Sequence, residues 1–214
     1  KMKQLFIAVA LFATINANAQ SEKYAGAMGK ALEAMGAAKT SDDFRAASAT
    51  FERIGDAEKN QWLPYYYAGI CLTTMAWADN SIDKDANSAK VLALCDKADA
   101  ITSDSSDKSE ILSVRNMAYS QQMLVDPPAR WMTYGQQANK ALQQAMALNP
   151  NNGRLYYLQG MSVFGTPEQF GGGKAKAKPL FEKAFELLSA EQAKPLYPHW
   201  GKEQAEGMIK QCGE

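Results

Sequence analysis

Three stretches of the chain close a helix-like segment with nearly the same phrase: Leu94-Cys95-Asp96-Lys97-Ala98, Ala141-Leu142-Gln143-Gln144-Ala145 and Leu180-Phe181-Glu182-Lys183-Ala184, with Phe51-Glu52-Arg53-Ile54 as a weaker echo. An internal repeat constrains the fold more than any other signal. Each copy is a unit that cannot bury its apolar face alone, so the copies must stack into one elongated core. Alanine, leucine, methionine and glutamine are abundant, and runs of period-two alternation are absent, so the periodicity is helical nearly throughout. The pattern predicts nine helices, at about 22–38, 41–55, 61–79, 85–102, 106–125, 129–148, 152–164, 173–189 and 198–212. Ser41-Asp42-Asp43 caps the second, Pro64 is tolerated in the first turn of the third, and Asn149-Pro150-Asn151-Asn152 closes one helix and caps the next.

The N-terminus bears on where the chain works. Lys1 and Lys3 form a basic start, Leu5 to Ile15 an apolar run of 11 residues, and Ala17-Asn18-Ala19 a small-residue cleavage site, which together read as a signal peptide over residues 1–19. The run is shorter than the roughly 20 apolar residues a membrane span needs. The domain expected is residues 20–214, exported to the periplasm or cell exterior without membrane insertion. Without Lys1 and Lys3 the chain carries two more acidic than basic residues, which excludes nucleic acid, whose phosphates need a clear basic excess.

Three cysteines, Cys71, Cys95 and Cys212, allow one internal pair at most, and their spacing fits no zinc pattern. Cys71 and Cys95 fall on one predicted hairpin, where they either pair or pack as small apolar side chains. The single histidine, His199, excludes histidine metal clusters and multi-histidine relays, and is expected to help cap the last helix. Gly171-Gly172-Gly173-Lys174 lacks the first glycine, the following Ser or Thr and the preceding strand of a phosphate loop, and reads as a flexible turn. No enzyme, cofactor or metal site is expected.

At these positions the chain resembles the tetratricopeptide repeats. Ala138, Leu142, Ala145 and Pro150 carry the family's second-helix pattern throughout; Ala177, Phe181 and Ala184 carry three positions, Val91, Cys95 and Ala98 match with two substitutions, and Ala47, Phe51 and Ile54 match loosely. Tyr65 with Gly69 and Tyr156 with Gly160 take the aromatic and small positions of first helices. The anchors Phe51, Cys95, Leu142 and Phe181 lie 44, 47 and 39 residues apart, longer than the family's usual ~34.

The resemblance implies an all-α, right-handed α-α superhelix of about four helix pairs with a C-terminal capping helix, whose first helices line a concave face that grips a protein or peptide. Carried over by register, that face comprises Tyr66, Ile70 and Thr73; Arg115, Tyr119 and Gln122; and Arg154, Tyr157, Met161 and Phe164. Tyrosine and arginine are favoured at interface hot spots, and the two arginines would hold a partner's carboxylate. The alternative for the same residues is that Tyr66 and Tyr157 pack between pairs and the arginines are solvated. Of the aromatic cluster Trp62, Tyr65, Tyr66, Tyr67 and Trp77, at least Trp62 and Tyr65 are expected in the core. The alternative function is a small-molecule binding protein whose pocket is closed by the turn at 165–173.

Overall fold

The computed structural model describes residues 22–213, and the signal peptide read at 1–19 lies outside them. Within them the fold is all-α. Residues 22–37 form α1, followed by α2 (Ser41–Glu58), α3 (Leu63–Ala78), α4 (Lys84–Asp99), α5 (Ser105–Leu124), the short α6 (Pro127–Arg130), α7 (Gln136–Leu148), α8 (Gly153–Gly165), α9 (Lys174–Ala190) and α10 (Lys202–Gly213).

Local chemistry sets the ends. Thr40 and Asp43 close a capping box on α2, and Asp83, Asp104 and Asn152 each accept from the first backbone N–H groups of α4, α5 and α8. The structure departs from the expected single helix over 129–148. Pro127 and Pro128 open α6, and Trp131–Gly135 forms a π-helical turn before α7. The Trp131 ring lies over Gly135, where a Cβ would come within 2.6 Å of it, so the turn widens around the indole.

The repeat anchors are where stacking needs them. Phe51, Cys95, Leu142 and Phe181 are all buried, as are Ala98, Ala145 and Ala184 one turn on. Three serines join successive helices in the same way: Ser48 Oγ donates to the Ala68 carbonyl at 3.1 Å, Ser88 to Ala118 at 3.0 Å and Ser109 to Ala145 at 3.1 Å. A side chain this small lets backbones approach, and the bond satisfies its hydroxyl in the dry interior. Helix α3 is buried on nearly all sides, including Trp62 and Tyr65 at its start, and centres the main core of α1 to α5.

The stack is uneven along its length. Helices α2 to α5 pack closely in chain order and α7 packs closely on α5, whereas α8 packs mainly on α9 and only lightly on α5 and α7. A small cluster of Leu142, Ala145 and Leu155 bridges that junction, and α9 and α10 close a separate one around Ala184, Leu188 and Ala205.

Candidate functional site

Between α9 and α10 the chain does not enter its last helix at 198 as the periodicity predicts. Residues 191–201 cross the first helices as an irregular strap with a turn at 195–197, where Leu196 has φ 66°, and it ends at Gly201 with φ 110°. The strap is bonded along its length. Tyr67 Oη donates to the Leu196 carbonyl at 2.9 Å, Tyr197 Oη to Asp107 at 3.1 Å and Trp200 Nε1 to Tyr66 Oη at 2.8 Å. Arg154, fully buried, donates to both Glu191 oxygens at 2.8 Å, to the Pro198 carbonyl and, at 3.3 Å, to Glu110. Glu110 also accepts from Asn152 at 2.9 Å and Tyr66 at 3.1 Å. Burial, the largest influence, pushes the Glu110 carboxyl above its ordinary value, against the pull of Arg154 and Tyr66. His199 lies exposed in the strap, and the Gly201 N–H at the start of α10 is instead satisfied by Gln204.

The ten residues carried over as a partner-binding face therefore do not form one surface. Tyr66 and Arg154 are buried beneath the strap. Thr73 is buried with its hydroxyl on the Ile70 carbonyl, and Gln122 is buried beside Asp85. Tyr157 and Phe164 turn toward α9, where their rings lie 6.0 and 6.4 Å from Phe181. Arg115 bonds Asp96 of α4 and shares with Tyr119 a groove of about 690 Å³ between α4, α5 and α7, so the two arginines do not converge. Ile70 is half-buried against the main core, and Met161 is exposed.

Five of the eight large apolar side chains exposed among the described residues lie near the C-terminal ends of α3 and α5 and in the π-helical turn. Tyr66 bonds Glu110, Gly69 meets Val114, and Gln121 Nε2 donates to the Thr73 carbonyl at 2.7 Å, so α3 and α5 climb together. That register brings Trp77 to the level of Leu124 and Val125. These three, with Trp131 and Met132 of the π-helical turn, are 46–73% exposed. Arg130 ties the turn down, donating to Asp85 at 2.8 and 2.9 Å and to the Gln122 carbonyl at 3.1 Å, and it holds the Asp85 carboxyl below its ordinary value. Lys84 Nζ donates to the Ala76 carbonyl at 2.8 Å, beside Trp77. Val125 also edges a groove of about 340 Å³ formed by residues 80–85. Sequence reasoning grouped Trp77 in an aromatic cluster of which only Trp62 and Tyr65 were expected in the core, and it did not single out Trp131 and Met132. The signal available was the prolines at 127 and 128 followed by adjacent apolar residues that fit no single helix face.

Among the described residues no group of His, Cys, Asp and Glu could hold a metal ion, and all three cysteines are free thiols. No helix there is long and apolar enough to cross a membrane.

No protein-family model and no curated protein matches the chain. Among solved structures, it is similar to the HusA haemophore from Porphyromonas gingivalis, with a TM-score of 0.79 and 34% identity over 88% of this chain and 92% of that one. A haemophore binds a small molecule, and this finding overturns the expected scaffold that grips a protein or peptide through its concave face. The physical reason is on the surface already described, since the strap fills the part of that face holding Tyr66 and Arg154. The small-molecule alternative is favoured instead, although the two grooves described here are lined by α4, α5, α7 and residues 80–85 and not by the 165–173 turn. With this identity over nearly the whole of both chains, the protein belongs to the family of the HusA haemophore.

Proposed function

We propose that the protein is an exported carrier of a flat, largely apolar small molecule of the tetrapyrrole class, held at the rim formed by Trp77, Leu124, Val125, Trp131 and Met132. The observation that carries this reading is the kinship with a haemophore over nearly the full chain. The rim supplies the chemistry. Two half-exposed indoles offer faces for a macrocycle, Leu124, Val125 and Met132 add apolar cover, and Arg130 and Lys84, bonded to Asp85 and to the Ala76 carbonyl, hold the segments that carry them. The larger groove fits such a ligand less well, because a flat ring there would desolvate Asp99, Lys108, Arg115 and Lys140 and gain only Leu148 as an exposed large apolar side chain.

The rim holds no imidazole, so recognition rests on the ring and its edges, and a metal-free porphyrin should bind as well as haemin. The signal peptide read at residues 1–19 supports export. The buried anchors Phe51, Cys95, Leu142 and Phe181 support the finer reading of the stack as tetratricopeptide-like. Titration with haemin and with metal-free protoporphyrin, followed by absorbance and tryptophan quenching, tests the proposal. Saturable binding of both is expected, weakened about tenfold or more by each of Trp77→Ala and Trp131→Ala with the fold intact. No saturable binding, or variants that bind like the parent, would sink it.

A further inference from the structure

The glycine triplet at 171–173 is a tightly bonded loop and not the flexible turn its composition predicts. Gly171 and Gly173 have φ of 89° and 100°, and a Cβ on Gly172 would stand 2.0 Å from the Thr166 carbonyl oxygen, so all three positions need glycine. The Gly173 N–H donates to Val163 at 2.9 Å, those of Phe170 and Gly172 donate to Pro167 at 2.9 and 3.2 Å, and that of Gly171 to Glu168 at 2.9 Å. What this bonding holds in place is Phe170, 73% exposed. An ordered loop that keeps a phenyl ring in water is unusual, because burying that ring elsewhere would be favourable.

The first turns of α9 follow directly and carry Lys174, Lys176 and Lys178. None of the three is in an ion pair, a hydrogen bond or a ring contact, whereas Lys97, Lys108, Lys183 and Lys210 all have carboxylate partners. The Lys176 ammonium lies beside Gly171, next to Phe170 in sequence. Glu168 is the loop's one carboxylate, so cations outnumber it three to one.

An aromatic side chain projecting from a bonded loop, with the unpaired Lys176 beside that loop and Lys174 and Lys178 on the helix turn that follows it, matches the chemistry of an anionic lipid surface. Phenylalanine enters the acyl boundary while lysine heads stay among the phosphates, their methylene stems covering the interface. We infer that the loop Thr166–Gly173 and the start of α9 form a docking surface for anionic membranes, which rests the protein reversibly on a bilayer without inserting a helix. The inference is independent of what the rim binds.

The test is co-sedimentation of the purified protein with vesicles of phosphatidylcholine alone and of equal parts phosphatidylcholine and phosphatidylglycerol, at low and high salt. Binding is expected on the anionic vesicles only, weakened by salt. The Lys174→Glu, Lys176→Glu, Lys178→Glu variant should fall to background, and Phe170→Ser should lose about tenfold. All four side chains are solvent-facing or half-buried, and a melting curve like the parent's verifies that each variant folds. A control with Lys23→Glu, Lys30→Glu and Lys39→Glu, equal in net charge and also exposed, should bind like the parent. Absence of binding, equal binding to neutral vesicles, or equal loss in the control would each overturn the inference.

Discussion

Replacing Arg154 with alanine removes the cation at the junction between α5, α8 and the strap. Its side chain is 1% exposed and serves two carboxylates, Glu110 and Glu191, as well as the Pro198 carbonyl. Glu191 is 37% exposed and can return to water, but Glu110 is 10% exposed and stays with only Asn152 and Tyr66 as donors. Breaking one side of a buried pair costs about 3–5 kcal/mol, because the remaining charge is uncompensated. In a domain of this size that loss lowers Tm by about 6–20 °C.

The pH dependence gives a second readout of the same variant. A carboxyl raised on folding binds its proton more tightly in the native state, so stability falls as pH climbs from the ordinary carboxylate value through the raised one. Without Arg154 the raising of Glu110 grows. The deficit of Arg154→Ala should therefore be largest near neutrality and narrow in mild acid, and adding Glu110→Gln should recover part of it at neutral pH. Urea denaturation of the single and double variants across pH measures this. A neutral-pH loss below about 1 kcal/mol, or a deficit that widens in acid, would refute the reasoning.

Four further outcomes follow from the packing and the charges. Gly160→Ala should destabilise by about 1–3 kcal/mol, because the new Cβ would lie 2.6 Å from Phe181, whereas Gly29→Ala, with nothing within 4 Å, should stabilise by about 0.5–1 kcal/mol; thermal melts followed by circular dichroism separate them. Burial pushes the Cys71 and Cys95 thiols up to about 12, so at pH 8 an aromatic disulfide reagent should label the half-buried Cys212 and leave the other two until the protein unfolds. Hydrogen bonds from Ser41 and Ser81 hold the Asp79 carboxyl down to about 2; an NMR titration should find that midpoint, and Ser81→Ala should raise it toward the ordinary value. Such a lowered carboxyl stabilises the fold above its unfolded value, and the contribution is lost as pH falls toward 2. Ala145→Asp should abolish cooperative unfolding, since Ala145 is fully buried and its carbonyl receives Ser109; a cooperative melt like the parent's would contradict this.

The repeat was legible because it is local. Small and large residues at fixed helical spacing must face the neighbouring helix, and Ala138, Leu142, Ala145, Ala177, Phe181 and Ala184 are all buried. The helix cap at Asn152 was readable for the same reason. The strap was not legible, since its contacts join Tyr67 to Leu196 and Tyr66 to Trp200 across most of the chain, and local pattern carries no record of such pairs. Pro195, Pro198 and Gly201 marked irregular backbone without saying what it would cover. Its consequence reached the functional reading. Tyr66 and Arg154 have the composition of a binding hot spot and are instead the floor and the latch of an internal contact. The rim was missed because a π-helical turn breaks the 3.6-residue period, so Trp131 and Met132 looked like parts of one long helix.

The central claim is that a flat small molecule seats on the Trp77 to Met132 rim. Backbone and indole NMR shifts of the protein titrated with metal-free protoporphyrin test it most directly. Saturable changes concentrated at Trp77, Leu124, Val125, Trp131 and Met132, with the strap residues Leu196 to Trp200 unmoved, are the predicted result. Changes centred on the Lys108, Arg115 and Lys140 groove, or no changes at all, would contradict it.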